Sequence, residues 1–169
     1  LPEGQLIVTY SFSPHLIDQY QPSGEFGSVW VHRDLPILPS RKNVGNSTCL
    51  LALSPEEFLA FDRFRGIFRI LGSDGIQKIE FPIESKVHKA NTKIVMDSIK
   101  EDAGTSGLHV ATVLQWSNPC VDINGDILVF SLFEKEKSAQ KFFAFTRKGE
   151  FRYHAFLTPL LGKTIYQAY

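Results

Sequence analysis

The 169-residue chain sets 18 Lys and Arg against 18 Asp and Glu, and 43% of its residues are hydrophobic, 21% charged and 12% aromatic. This composition excludes a disordered chain, which would be poor in aliphatic and aromatic residues. Zero net charge leaves no field to attract nucleic acid or an anionic membrane, and apolar runs such as Cys49 to Leu53 are far short of the ~20 residues that span a bilayer.

With 14 Phe and 5 Tyr the chain favours strands. Gln5 to Tyr10, His15 to Tyr20 and Glu25 to Val31 read as three strands, the last two joined by the turn Gln21-Pro22-Ser23-Gly24. Asp34 to Asn46 contains Pro36, Pro39 and Gly45 without a helical period, and reads as a connecting loop. Thr48 to Leu53 suits a buried strand. Ser54-Pro55-Glu56-Glu57 has the chemistry of a helix start as well as of a turn; the turn is expected, because Phe58 to Asp62 resumes with strand-like aromatics. Gly66 to Leu71, the turn Gly72-Ser73-Asp74-Gly75 and Ile76 to Ile83 complete a hairpin.

Glu84 to Gly107 is polar and rich in lysine, an excursion that fits either a strand with a long loop or one short helix with Val95 and Ile99 as its apolar pair. Leu108 to Trp116 reads as a strand, Ser117-Asn118-Pro119 as a turn and Ile127 to Phe133 as the next strand. Glu134 to Gln140 is expected to be a charged hairpin loop. Lys141 to Thr146 and Glu150 to Phe156 then pair around Arg147-Lys148-Gly149.

Three segments share one plan, an apolar strand, a tight polar turn ending in Gly, and a strand with an early bulky residue: His15 to Phe26, Ile67 to Ile79 and Phe142 to Phe151. Their turn glycines, Gly24, Gly75 and Gly149, lie 51 and 74 residues apart, against a blade period of about 40–50. The stretch from Phe58 to Pro82 resembles the blades of NHL-type and related six-bladed β-propellers, with Asp62, Arg65, Asp74 and Gly75 at the positions where such blades carry Asp, Arg, Asp and Gly. Asp122 to Phe151 is similar through its Asn-Gly-Asp and Lys-Gly-Glu-Phe turns, without the Asp and Arg pair.

The resemblance implies a single all-β domain of propeller-like blades, at about 4–35, 47–83 and 108–157. Closed propellers have about four to eight blades, so it also implies an incomplete ring with open strand edges. A β-sandwich or barrel is the alternative. The chain opens at Leu1 and its only methionine is Met96, so it is expected to be a processed or truncated piece of something longer. No basic stretch followed by an apolar run marks a signal peptide.

Motifs for chemistry are sparse. Cys49 and Cys120 are expected as buried thiols, with a disulfide, and hence an oxidising compartment, as the alternative. The five histidines lack the spacing of metal motifs; His32 with Asp34 is the closest His and carboxylate pair. No Gly-Lys-Ser/Thr phosphate loop appears, Gly104 to Gly107 included, so no cofactor is expected. Asp122, Asn124 and Asp126 around Gly125 are expected to form a plain β-turn instead of a calcium loop. Trp30 and Trp116 are candidate recognition anchors, with core packing as the competing role, and Arg63 is a candidate partner for an acidic group. Trp30, His32, Arg63 and Trp116 are thus the candidate binding residues. The expected function is a non-catalytic binding or scaffold module that contacts a protein partner or further blades of its own chain. The alternative is a metal-dependent hydrolase or lactonase of six-bladed propeller type.

Overall fold

The computed structural model describes residues 4, 6–9, 15–32, 48–102, 114–136 and 139–158. They form eleven strands and one helix: β1 (Leu6–Thr9), β2 (His15–Tyr20), β3 (Phe26–His32), β4 (Thr48–Ser54), β5 (Glu57–Asp62), β6 (Ile67–Gly72), β7 (Gln77–Pro82), α1 (Lys86–Asp102), β8 (Cys120–Val121), β9 (Ile127–Glu136), β10 (Ala139–Phe145) and β11 (Phe151–Leu157). The strands make three antiparallel sheets in which every neighbour in sequence is a neighbour in space: β1-β2-β3, β4-β5-β6-β7 and β8-β9-β10-β11. The all-β expectation and its blade-like meanders hold.

The same turn recurs in all three sheets. Gly24, Gly75 and Gly149 each donate their amide to the carbonyl three residues back (Gln21, Gly72 and Thr146), and the amide of that residue bonds the carbonyl just after the glycine. Asp122 to Asp126 repeats the pattern between β8 and β9. This is a type I turn closed by a glycine bulge, which reverses an antiparallel pair in few residues.

The second sheet is the middle layer. Phe58, Ala60 and Leu71 on one face join Leu16, Ile17, Trp30 and Val31 of the first sheet in one buried cluster. Leu59, Phe61, Phe68 and Ile70 on the other face join Ile127, Val129, Phe143 and Phe145 of the third sheet. Coverage on both faces explains why β5 and β6 are apolar almost without alternation. The Phe68 ring stacks on Phe61 at 4.3 Å and meets Phe81 at 4.9 Å and Phe145 at 5.6 Å. Each such fully buried ring contributes about 1.5–3 kcal/mol over an exposed one.

Three local expectations are corrected or resolved. The lysine-rich excursion is a helix of 17 residues, capped by Ser85, whose Oγ accepts the His88 amide at 3.4 Å. The side chains of Val95 and Ile99 lie outside the described ones. Most of the charged stretch Glu134 to Gln140, expected as a loop, is strand: β9 runs through Glu136 and β10 begins at Ala139. Of its described side chains, Glu134 bonds Lys141 and Ser85, and buried Gln140 donates to the Ser131 carbonyl at 2.8 Å. The expected strand Leu108 to Trp116 reduces, within the described residues, to an isolated bridge between Trp116 and Ser131, while residues 108–113 lie outside them. The loop expected at 34–46 and the stretch 104–107 lie wholly outside them too. Both cysteines are free. No helix among the described residues is long and apolar enough to cross a membrane.

Candidate functional site

Among the described side chains, helix α1 is tied to the third sheet by polar ones. His88 is 3% exposed, its ring stacked on Trp116 at 3.7 Å between centroids. Its Nδ1 faces Gln115 Oε1 at 3.1 Å and its Nε2 faces Ser131 Oγ at 2.8 Å. The proton positions follow by elimination. Gln115 Nε2 already donates to the Phe64 carbonyl and to Thr92 Oγ1, both at 2.7 Å. Its Oε1 must then accept, so Nδ1 carries the hydrogen, and Nε2 accepts the Ser131 hydroxyl proton.

Burial pushes the His88 pKa below its ordinary value; Lys141 adds to this, while Gln115 and Glu134 pull the other way. The imidazole is therefore neutral near pH 7, in keeping with that tautomer. Glu134 stands 3.8 Å from His88 Nε2 and holds Lys141 Nζ at 2.7 Å and Ser85 Oγ at 2.6 Å. Burial alone would raise its pKa, but the hydrogen bonds from Lys141 and Ser85, with the charge of Lys141, outweigh that and lower it. Ser85 thus caps the helix and ties it to β9 at once.

Serine, histidine and carboxylate stand together here, as in nucleophilic catalysis, but the geometry serves packing. Ser131 is fully buried, and its oxygen accepts the amides of Phe133 at 3.2 Å and Glu134 at 2.7 Å. A nucleophile needs an approach path and free lone pairs; this hydroxyl has neither. The cluster is a latch for α1.

Two of the four candidate binding residues meet at this latch. Trp116 is fully buried. Arg63 Nε donates to the Trp116 carbonyl at 3.1 Å, and the Arg63 carbonyl accepts the amides of Gln115 and Trp116. Trp30 is 6% exposed in the other cluster, with its indole nitrogen donating to Gln19 Oε1 at 3.3 Å. His32 ends β3, and its side chain, like Asp34, lies outside the described residues. Both tryptophans therefore pack the core. Sequence reasoning missed His88, Gln115, Ser131 and Glu134, which are scattered along the chain and meet only through the fold.

The residues behind the blade resemblance serve their turns. Asp62 Oδ1 accepts the amides of Phe64 and Arg65, both at 2.9 Å, while Oδ2 takes Arg65 Nε at 2.6 Å. Asp74 Oδ1 accepts the Ile76 amide at 2.9 Å. In the Asp122 turn, the amides of Asp126 and Asn124 bond the carboxylate and hold its pKa below the usual range. That geometry is a side-chain-closed β-turn, as expected. Among the described residues, no three His, Cys, Asp or Glu side chains converge to hold a metal ion.

The seams between sheets share a geometry. Six residues beyond each turn glycine stand Trp30, Phe81 and Ala155. Trp30 of the first sheet lies against Gly75 in the second, and Phe81 of the second against Gly149 in the third. No protein-family model matches the chain, and no curated protein matches it. The row Phe61, Phe68 and Phe81 crosses β5, β6 and β7 in register, facing the third sheet. The corresponding row Phe130, Phe142 and Ala155 crosses β9, β10 and β11. Its neighbours in sequence, Val129 and Phe143, belong to the cluster shared with the second sheet, so by strand alternation this row points the other way.

Proposed function

We propose that the chain is a non-catalytic binding or scaffold module of β-propeller type, whose third sheet takes a further antiparallel sheet on its outer face. One observation carries the reading: the row Phe130, Phe142 and Ala155 matches, position for position, the row with which the second sheet packs against the third. Ring contacts run along this face, from Phe130 to Phe142 at 5.4 Å and from Phe142 to Tyr153 at 6.0 Å, and Tyr153 is 44% exposed. Meander sheets with the same glycine turn, stacked face to face, are the manner in which propeller blades assemble. The occupant is a sheet of the same build, carried by the same polypeptide or by a partner protein.

Presented alone, the 169-residue chain should offer this face to a second copy. Sedimentation velocity across a concentration series should show reversible self-association of the wild type. The double variant Tyr153→Lys, Ala155→Arg should remain monomeric with an unchanged circular dichroism spectrum. A wild-type monomer throughout the series, or a variant that associates equally well, counts against the reading. Stoichiometric calcium or zinc in the purified protein, together with metal-dependent ester hydrolysis, would favour the hydrolase alternative.

A further inference from the structure

The seam between the second and third sheets opens into a cleft of about 440 Å³, walled by Pro82, Lys141, Phe143, Phe145, Phe151 and His154. Two of its walls differ in kind from the corresponding pair of the second sheet. Six residues before and five residues after the turn glycine, the second sheet carries Arg69 and Glu80, cross-strand partners in an ion pair of 2.7 Å. At the same offsets the third sheet carries Phe143 and His154, likewise cross-strand partners, with rings 6.1 Å apart. A salt bridge is replaced by two flat rings, and two more extend the wall: Phe151 meets Phe145 at 5.8 Å and His154 at 6.2 Å.

The polar groups of the cleft define what the rings select. The two side-chain charges that line it, Glu84 and Lys141, are paired with Lys89 and Glu134, so no net charge recruits an ion. Lys141 Nζ lies 4.8 Å from the centre of the Phe143 ring. An ammonium has three N–H groups; one serves Glu134 at 2.7 Å, leaving donor capacity at the cleft wall. Phe143 and Phe145 are buried while Phe151 is 55% exposed, so the floor is preformed and the mouth has an aromatic lip. A cavity of about 150 Å³ holds benzene, so this larger open cleft has space for two fused rings.

We infer that this cleft is a binding site for an uncharged planar aromatic ligand of two fused rings that bears one oxygen acceptor for Lys141. Phe143 and Phe145 form its floor, Phe151 and His154 its lip. The site is independent of what covers the outer face of the third sheet.

The probe is 2-naphthol at neutral pH, titrated into the full chain and followed by its fluorescence. Naphthalene, naphthalene-2-sulfonate and the non-planar 2-decalol serve as competitors. Saturable binding at one site is expected, with 2-naphthol preferred to all three. Phe151→Ala should weaken it about fivefold, the scale of one ring contact, and His154→Ala should weaken it in the same direction. Phe26→Ala, which removes an exposed ring from the first sheet, should leave it unchanged. Thermal melts of each variant establish that it is folded. The inference is overturned by non-saturable binding, by equal or tighter binding of the sulfonate or of 2-decalol, or by folded lip variants that bind as the wild type does.

Discussion

The indole of Trp30 lies directly on the backbone of Gly75, in the space that a Cβ would occupy there. Gly75 also has a φ of +78°, a conformation that L side chains adopt at a cost. Phe81 and Gly149 repeat the relationship, a Cβ at Gly149 coming within 2.6 Å of the Phe81 ring, whereas nothing lies within 4 Å of a Cβ at Gly24. Three Ala substitutions therefore separate conformation from packing. Gly24→Ala should cost about 1–2 kcal/mol, the backbone contribution alone, and Gly75→Ala and Gly149→Ala about 1–3 kcal/mol more, from overpacking. Urea denaturation measures all three, and equal losses would show that the ring contacts contribute nothing.

The latch makes stability depend on pH in a defined direction. Burial lowers the folded-state pKa of His88, so the neutral form is the one folding prefers. Its contribution is full above the unfolded value of about 6.5 and is lost as pH falls through the folded value. Glu134, also depressed when folded, contributes above the unfolded carboxyl value of about 4.3 and loses its share at more acidic pH. Urea midpoints of the wild type should fall between pH 7 and pH 5, and His88→Gln should flatten that stretch of the profile. A wild-type profile flat over the same stretch would remove His88 from the account.

Gln115 bridges the helix to the chain beneath it. Gln115→Leu leaves His88 Nδ1–H and the Phe64 carbonyl without their partner, at a cost of about 2–4 kcal/mol for two buried polar groups. Hydrogen exchange in α1 should accelerate more than exchange in β5 and β6, because the helix docks through this contact. Uniform acceleration would mean that helix and sheets open as one unit.

Cys49 is held as a thiol. Burial, the largest influence, raises its pKa to about 12, and its Sγ lies 3.7 Å from the Phe61 carbonyl. Burial raises Cys120 too. Thiolates are the reactive species, so Ellman's reagent should titrate both sulfhydryls promptly in urea and Cys49 only slowly in the native protein. Rapid native reaction of both would contradict the packing around β4.

The strands and turns were legible because their signals are local. Gln21 to Gly24, Gly72 to Gly75 and Arg147 to Gly149 announce turns through Gly and polar residues, and the aromatic runs between them can only be strands of a largely buried sheet. Helix α1 was half legible. Its apolar pattern pointed to Val95 and Ile99, whereas its described docking contacts come from Ser85, His88 and Thr92, a polar stripe that hydrophobic periodicity does not register. Glu134 and Gln140 read as loop for the same reason, since a charged or amide side chain looks solvent-bound until a partner is placed beside it.

By itself, then, the sequence determined that the chain is all-β and where its glycine-closed hairpins lie, because φ preferences and side-chain alternation act within a few residues. Only the tertiary structure decided what each aromatic and polar side chain does. Trp30 and Trp116 pack inside, His88 is neutral and latched, and Phe143 with His154 lines a cleft at the positions where the second sheet carries the Arg69–Glu80 ion pair. Those roles rest on contacts between residues tens of positions apart, and burial sets the protonation and partners of such groups only once the sheets have stacked.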